Sequence, residues 1–328
     1  LAVVWWSIVS MVTSFANSVA SFATLRFLLG IGEGFNWPGA SKAVAEWFPS
    51  RERGLAVAIF DSGSSIGGAI AAFAIPWITF HLGWRFAFTA SGLLGIAWLV
   101  VWLAVYPRTP RVVSCEDRSQ GTLQRLASLL PLLKRSETWG LVLGRSLTDP
   151  VWWFFVFWLP QYLSDARGFT LLQIASFAWL PFVAADLGNF AGGYLSGLLI
   201  KRGMAVLRTR QLICIVSCLP MLAGIPAAIV SDPIFAIALI CLALFGYASW
   251  STMGLTFPSD LFRPETVASV TGLSGFAAGL AGTVFTFLVG VLVDRYSYIP
   301  AFVMAGTLPL LATASILLFF RKSKLVSI

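Results

Sequence analysis

One histidine and four cysteines in 328 residues remove several classes of chemistry at the outset. His81 stands alone, so neither a histidine-dependent hydrolase nor a histidine metal site can be assembled. Cys115, Cys214, Cys218 and Cys241 are scattered. Cys214 and Cys218 are one helical turn apart, but no second pair accompanies them, so they read as small core residues and no metal is expected. Charge is scarce too, at 11% of residues, where a soluble domain carries about 25%. The net charge of +8 does not point to nucleic acid, because the basic residues lie in short connections and form no continuous patch with aromatics. No phosphate-binding loop is present, so neither ATP nor another cofactor is expected.

What fills the chain is apolar sequence, 58% of residues. Runs of 18 or more apolar residues follow one another, which is the pattern of an all-α polytopic membrane protein whose partner is the lipid bilayer. Ten spans are expected, near 1–20, 24–47, 55–80, 86–106, 141–164, 171–200, 211–230, 234–257, 267–293 and 299–320. Of the 22 Lys and Arg residues, 17 fall in the connections 50–54, 107–146, 201–211, 258–266 and 321–328, and three in the alternate set. Positive charge gathers on the cytoplasmic side, so both chain ends are expected inside.

The longest connection, 107–140, is basic and holds Pro107, Pro110 and Pro131. It reads as a cytoplasmic loop between two bundles, 1–106 and 141–328. An internal repeat supports that division. Phe48-Pro49-Ser50, Arg53 and Gly63 return as Phe257-Pro258-Ser259, Arg263 and Gly272. Matching the repeats makes 1–106 the last four helices of a six-helix bundle, with two helices expected before Leu1, and makes 141–328 a full six. A chain without those two helices is expected not to transport. Parallel six-helix repeats around a midplane site are a transporter architecture.

The stretch Arg26–Trp47 is apolar enough to cross a bilayer yet carries Arg26 and Glu33. Charges within a span cost at least ~2.5–3.5 kcal/mol on insertion scales unless they face a partner or a cavity. Seven residues bring the two to one helix face, about 10 Å apart along the axis. Gly30, Gly32 and Gly34 allow close helix approach, and Pro38 is expected to bend the helix below Glu33. Two readings stand: a structural ion pair, or a proton-coupling pair with Glu33 as carrier. Asn36 joins the substrate-facing set.

Further candidates lie downstream. Asp149, with Trp152 and Trp153 one turn on, suits a sugar's hydroxyls and ring face; the alternative is an interfacial aromatic belt with Asp149-Pro150 as a helix start. Asp186 and Asn189 sit mid-span and serve either substrate or a neighbouring helix. Ser249 and Trp250 are similar. Asp61, Ser62, Ser64 and Ser65 share one span, with Ser64 the substrate candidate. Gly63-Ser-Ser65-Ile-Gly67 matches a hydrolase elbow, but it lies in an apolar helix without a histidine partner, so it reads as helix-packing spacing. No enzyme activity is expected. Arg51, Arg53, Asp260 and Arg263 read as a cytoplasmic latch or as a solvated loop that fixes topology. Lys42 and Glu46 form a local i,i+4 pair.

RFLLGIGEGFNWPGASKAVAEWFPSRERG (26–54) resembles the fourth helix and following loop of the anion:cation symporter branch of the major facilitator superfamily. FDSGSSIGG (60–68), GWRFAF (83–88), SLTDPVWWFFVFWLPQYL (146–163) and FPSDLF (257–262) resemble its bacterial hexuronate transporters. The resemblance implies two pseudo-symmetric six-helix bundles and proton symport of galacturonate or glucuronate into the cell across the inner membrane, by a monomer using alternating access. The family's first-helix tyrosine, arginine and acidic partner have no counterpart here. Its Gly-x-x-x-Asp-Arg loop survives only as a second-half relic, Gly193 to Gly203. Relatives that carry galactonate have glutamine where Ser64 stands, which keeps galactonate, glucarate or tartrate open as alternatives. A non-transporting sensor on the same fold is the remaining rival.

Overall fold

A computed structural model describes residues 1–105 and 130–321, and among these residues every regular element is helical. The elements are α1 (Ala2–Thr13), α2 (Val19–Glu33), α3 (Asn36–Trp47), α4 (Ser50–Leu82), α5 (Trp84–Val105), α6 (Leu130–Leu133), α7 (Ser136–Asp165), α8 (Leu171–Phe177), α9 (Leu180–Lys201), α10 (Val206–Met221), α11 (Gly224–Ala227), α12 (Pro233–Leu261), α13 (Pro264–Arg295) and α14 (Ile299–Phe319). Cys115 and most of the basic 107–140 connection lie outside the described residues.

Among the described residues, six helices are long and apolar enough to cross a membrane by length and composition, within 50–71, 84–105, 206–227, 233–261, 264–295 and 299–319. The ten expected spans each correspond to a helix or a consecutive helix pair. The pairs are α2 with α3, α8 with α9, and α10 with α11. Local chemistry explains the ends. Ser18 caps α2 in a reciprocal box with Ser21, and Thr170 does the same with Gln173 at α8. Asp232 accepts from Ile234 N at 2.8 Å ahead of Pro233, the first residue of α12. Gly203, at φ +93°, ends α9 in a backbone conformation that L side chains avoid.

Residues 1–39, 73–105 and 130–134 form one compact unit. In it α1 packs on α2 and α5. A Cβ on Gly32 would meet Trp5 at 2.5 Å, and Trp5 Nε1 donates to Leu28 O at 2.8 Å. α2 ends at Glu33, and the break falls at Gly34-Phe35 rather than at Pro38. Pro38 instead occupies the first turn of α3, where its missing N–H costs no helical bond, and its ring excludes continuous helix through the preceding turn.

Residues 40–72 and 135–321 form the second unit. Here α9 crosses α12 through Gly188, against the Phe245 backbone, and Gly192, against Ser249; α9 meets α4 where Gly193 faces Gly54 O. Small residues let these backbones approach in place of side chains. By contacts, then, 40–72 groups with the later helices. The Phe-Pro-Ser repeat also diverges locally. Pro49 precedes α4, whereas Pro258 lies inside α12. α7 begins at Ser136, so Asp149-Pro150 is mid-helix rather than a helix start.

Candidate functional site: a carboxylate cluster around Arg145

Arg145 and Asp149 occupy positions i and i+4 of α7 and therefore share a face. Arg145 Nη2 and Nε donate to Asp149 Oδ2 at 2.8 and 3.1 Å, and Nη1 reaches Ser274 Oγ on α13 at 3.4 Å. Both side chains are largely buried. An arginine inside an apolar helix is retained where its charge is matched, and Asp149 supplies the match. One turn on, Trp152 stacks on Tyr247 of α12 at 5.7 Å and 16°, with Phe182 of α9 edge-on at 5.7 Å. The result is an aromatic wall beside an ion pair.

Two more carboxylates reach this place. Asp61 on α4 is buried and lies within electrostatic range of Asp149, Asp186 and Arg145. Asp186 on α9 neighbours Ser65 and Asn189, and its Oδ1 is buried without a hydrogen-bond partner. With its amide nitrogen turned to the surrounding acceptors, Asn189 donates to Asp61 Oδ2 at 3.3 Å and to Thr252 Oγ1 and Ala248 O at 2.9 Å. Four helices thus converge three acids, one guanidinium, an amide and a stacked aromatic pair. Such a site can exchange an internal carboxylate for an external one and take up protons.

The expected residues divide accordingly. Asp149, Trp152, Asp186 and Asn189 come together. Trp153 points away from them: it stacks on Phe157, and a Cβ on Gly282 of α13 would meet it at 2.8 Å. Successive helix residues diverge by 100°, so Trp152 and Trp153 cannot share a face. Ser249 bonds Ser217 Oγ on α10 at 3.0 Å, and Trp250 donates to Thr313 Oγ1 on α14 at 2.8 Å. Both are engaged in helix packing, outside the cluster. Ser64 is exposed and returns its hydroxyl to Asp61 O at 2.8 Å, within its own helix. Gly63–Gly67 lies inside α4, and His81 stacks on Trp77 at the other end of that helix. Arg145 is the residue that sequence reasoning missed, and Asp61, noted on its span, was given no role. Arg145 was read with a basic connection, and its signal was the acid four residues on. Asp61 was visible as an acid within an apolar span.

A second charged cluster in the same unit joins α4, α10 and α12. Arg53 Nη1 donates to Asp260 Oδ1 at 3.1 Å and to Ser259 O at 2.5 Å; Nε and Nη2 reach Phe48 O at 3.0 Å and Ala45 O at 3.3 Å. Arg210 Nε takes the other oxygen, Asp260 Oδ2, at 3.1 Å, while Nη2 donates to Ser50 O at 2.7 Å and Nη1 to Ser196 Oγ. All three charged side chains are fully buried. Of the expected latch residues, Arg53 and Asp260 meet. Arg51 pairs locally with exposed Glu52, and Arg263 is exposed at the start of α13. Arg210, which resembled a loop cation in the sequence, takes the place expected for Arg263.

In the first unit, Arg26 lies over the rings of Phe22 and Phe88, 5.0 Å from each centroid. Glu33, at the end of α2, feels Arg26 electrostatically, but aromatic faces, not the carboxylate, receive the guanidinium. Glu33 and Asn36 flank the Gly34-Phe35 break and are exposed.

Residues 1–286 match the family model described as Major Facilitator Superfamily. A hexuronate transporter of Escherichia coli (strain K12) is 33% identical over 321 residues, spanning 94% of this chain and 74% of that one. A galacturonate transporter of Dickeya chrysanthemi is 34% identical over 247 residues, 71% of each chain. Among solved structures, a proton:xylose symporter bound to 6-bromo-6-deoxy-D-glucose superposes with a TM-score of 0.71 at 16% identity, covering 98% of this chain and 80% of that one. That last likeness bears on fold alone.

Proposed function

The chain belongs to the Major Facilitator Superfamily, and on that premise we propose that it imports a hexuronate, galacturonate or glucuronate, with protons across a bacterial inner membrane. It is a multi-pass membrane transporter and not an enzyme. The Arg145–Asp149 pair beside Trp152 carries the substrate reading. A guanidinium fork suits a carboxylate. The uronate carboxylate replaces Asp149 on Arg145, and the sugar ring lies against the Trp152–Tyr247 wall. Asp149, Asp186 and Asn189 then bond the hydroxyls. Discrimination comes from these polar groups, since a ligand lacking a hydroxyl leaves a buried partner unsatisfied.

Glu33 carries the coupled proton, with Arg26 biasing it toward the charged form until substrate or the other membrane face rearranges the pair. Ser64, on α4 beside Asp61, completes the substrate-facing set of this unit. The Arg53–Asp260–Arg210 triad closes the cytoplasmic side, where both chain ends lie, and the protein works as a monomer. Relatives named for hexuronate and galacturonate transport support the substrate class.

The test is uptake of labelled galacturonate by proteoliposomes holding the purified protein with the two expected preceding helices present, with and without a protonophore. Uptake that collapses with the protonophore, and accumulation lost in Glu33→Gln, are expected. No uptake by protein shown to be in the membrane discards the substrate, and accumulation by Glu33→Gln discards the role of Glu33.

A further inference from the structure

Asp61 has no part in the scheme above, and with Asp186 it is one of two acids in the central cluster that the guanidinium does not bond; of the two it is the more buried. It projects from α4 within an apolar span and is buried. The titratable groups that reach it are Asp149 and Arg145 from α7, Asp186 from α9 and, across the cluster, Tyr247 from α12. Arg145 is the one cation among them. Its Nε and Nη2 face Asp149 and its Nη1 faces Ser274. Asp61 Oδ2 instead receives the neutral amide of Asn189 at 3.3 Å.

The neighbourhood has spare hydrogen-bonding capacity. Asp186 Oδ1 is buried and unpartnered, and so is Thr271 Oγ1, one turn before Ser274 on α13. An ionised Asp61 here is an anion that no cation bonds, beside two other carboxylates inside a bilayer span, an arrangement that low dielectric penalises. A protonated Asp61 removes that charge.

We propose that Asp61 is a second proton-binding group, holding its proton while Arg145 is paired with Asp149 and moving that proton with the transported anion. The proton comes from the outer solution, bonds a carboxylate oxygen of Asp61, and leaves to the inner solution after the anion has gone and before the empty carrier returns. It is distinct from the proton on Glu33. When an incoming carboxylate takes Arg145, the freed Asp149 adds negative charge next to Asp61 and strengthens the hold on the proton. Loading of anion and proton are thereby coupled through Arg145. The movement with substrate rests on the sugar-acid reading; the proton on Asp61 does not.

Infrared spectroscopy of the substrate-free protein at neutral pH tests the proton directly. The expected result is a carboxylic-acid C=O stretch that shifts in D2O, is lost in Asp61→Asn, and survives in Glu33→Gln and Asp186→Asn. Asp61→Glu restores such a band. A band unchanged in Asp61→Asn overturns the proposal. The second measurement is the proton-to-galacturonate ratio from reversal potentials in proteoliposomes. Wild type moves one more proton per galacturonate than Asp61→Asn, and equal ratios overturn the coupling. Loss of the band in Asp61→Asn together with no galacturonate transport by wild type supports the proton on Asp61 and counts against the substrate alone.

Discussion

Asp260 and Asp149 are both acids held by arginine inside the second unit, and the difference between them separates scaffold from site. Asp260 meets two guanidiniums, one on each oxygen, and those guanidiniums spend their other donors on Ser50, Ser196, Ala45 and Phe48. Positive charge exceeds negative, and the network joins α3, α4, α9, α10 and α12. Around Asp149 the ratio is inverted. One guanidinium stands among three carboxylates and bonds one of them, and Asp186 keeps an oxygen without a partner. A closed network fixes structure, whereas an open one has room for a ligand or a proton.

Breaking the closed network is expected to have the largest effect. Asp260→Ala leaves two buried guanidiniums without their carboxylate and destabilises the protein by about 3–5 kcal/mol, read as a lowered unfolding midpoint in detergent. A variant that unfolds like wild type erases the contrast. The open cluster is expected to respond in binding. Asp149→Asn removes the internal competitor for Arg145 while keeping a hydrogen-bonding side chain, so galacturonate binds up to about tenfold more tightly, equivalent to ~1.4 kcal/mol. Weaker binding by the same factor shows that the sugar hydroxyls gain more from the Asp149 carboxylate than Arg145 loses to it. Trp152→Leu keeps an apolar group but loses the stacked face with Tyr247, which is worth ~0.5–1.5 kcal/mol beyond area. A few-fold rise in Kd with an unchanged unfolding midpoint places that ring in the site. The smallest effect belongs to a charge pair outside both clusters. Lys42 and Glu46, 3.7 Å apart and partly exposed, contribute at most ~0.5 kcal/mol, so Lys42→Ala leaves unfolding within error.

The helices and their order were legible because apolar runs of bilayer length are imposed by the solvent. Which acids matter was half legible. Asp149, Asp186 and Asn189 stood out as polar residues within spans, and the structure gathers them. Trp153, Ser249 and Trp250 carried the same kind of signal but turn toward Phe157, Ser217 and Thr313, because helix rotation in a bundle is set by packing partners far along the chain. Arg145 and Arg210 were hidden for a related reason. Each stands in the early turns of its helix, where a cation reads as part of a basic connection. Asp149, the partner of Arg145, is only four residues on and could have been found by helical spacing; Asp260, the partner of Arg210, is 50 residues away and needs the fold. The break after Glu33 was displaced from Pro38 because proline shapes the turn before it as well as its own position.

The most direct measurement is equilibrium binding of labelled galacturonate to the purified protein and to Arg145→Gln. A hydrogen-bonded charge contributes ~1.5–3 kcal/mol, so the variant, in preparations shown to be folded, is expected to bind at least tenfold more weakly. Equal affinity in the two proteins would contradict the assignment of the substrate carboxylate to Arg145, and with it the reading of the open cluster as the sugar-acid site.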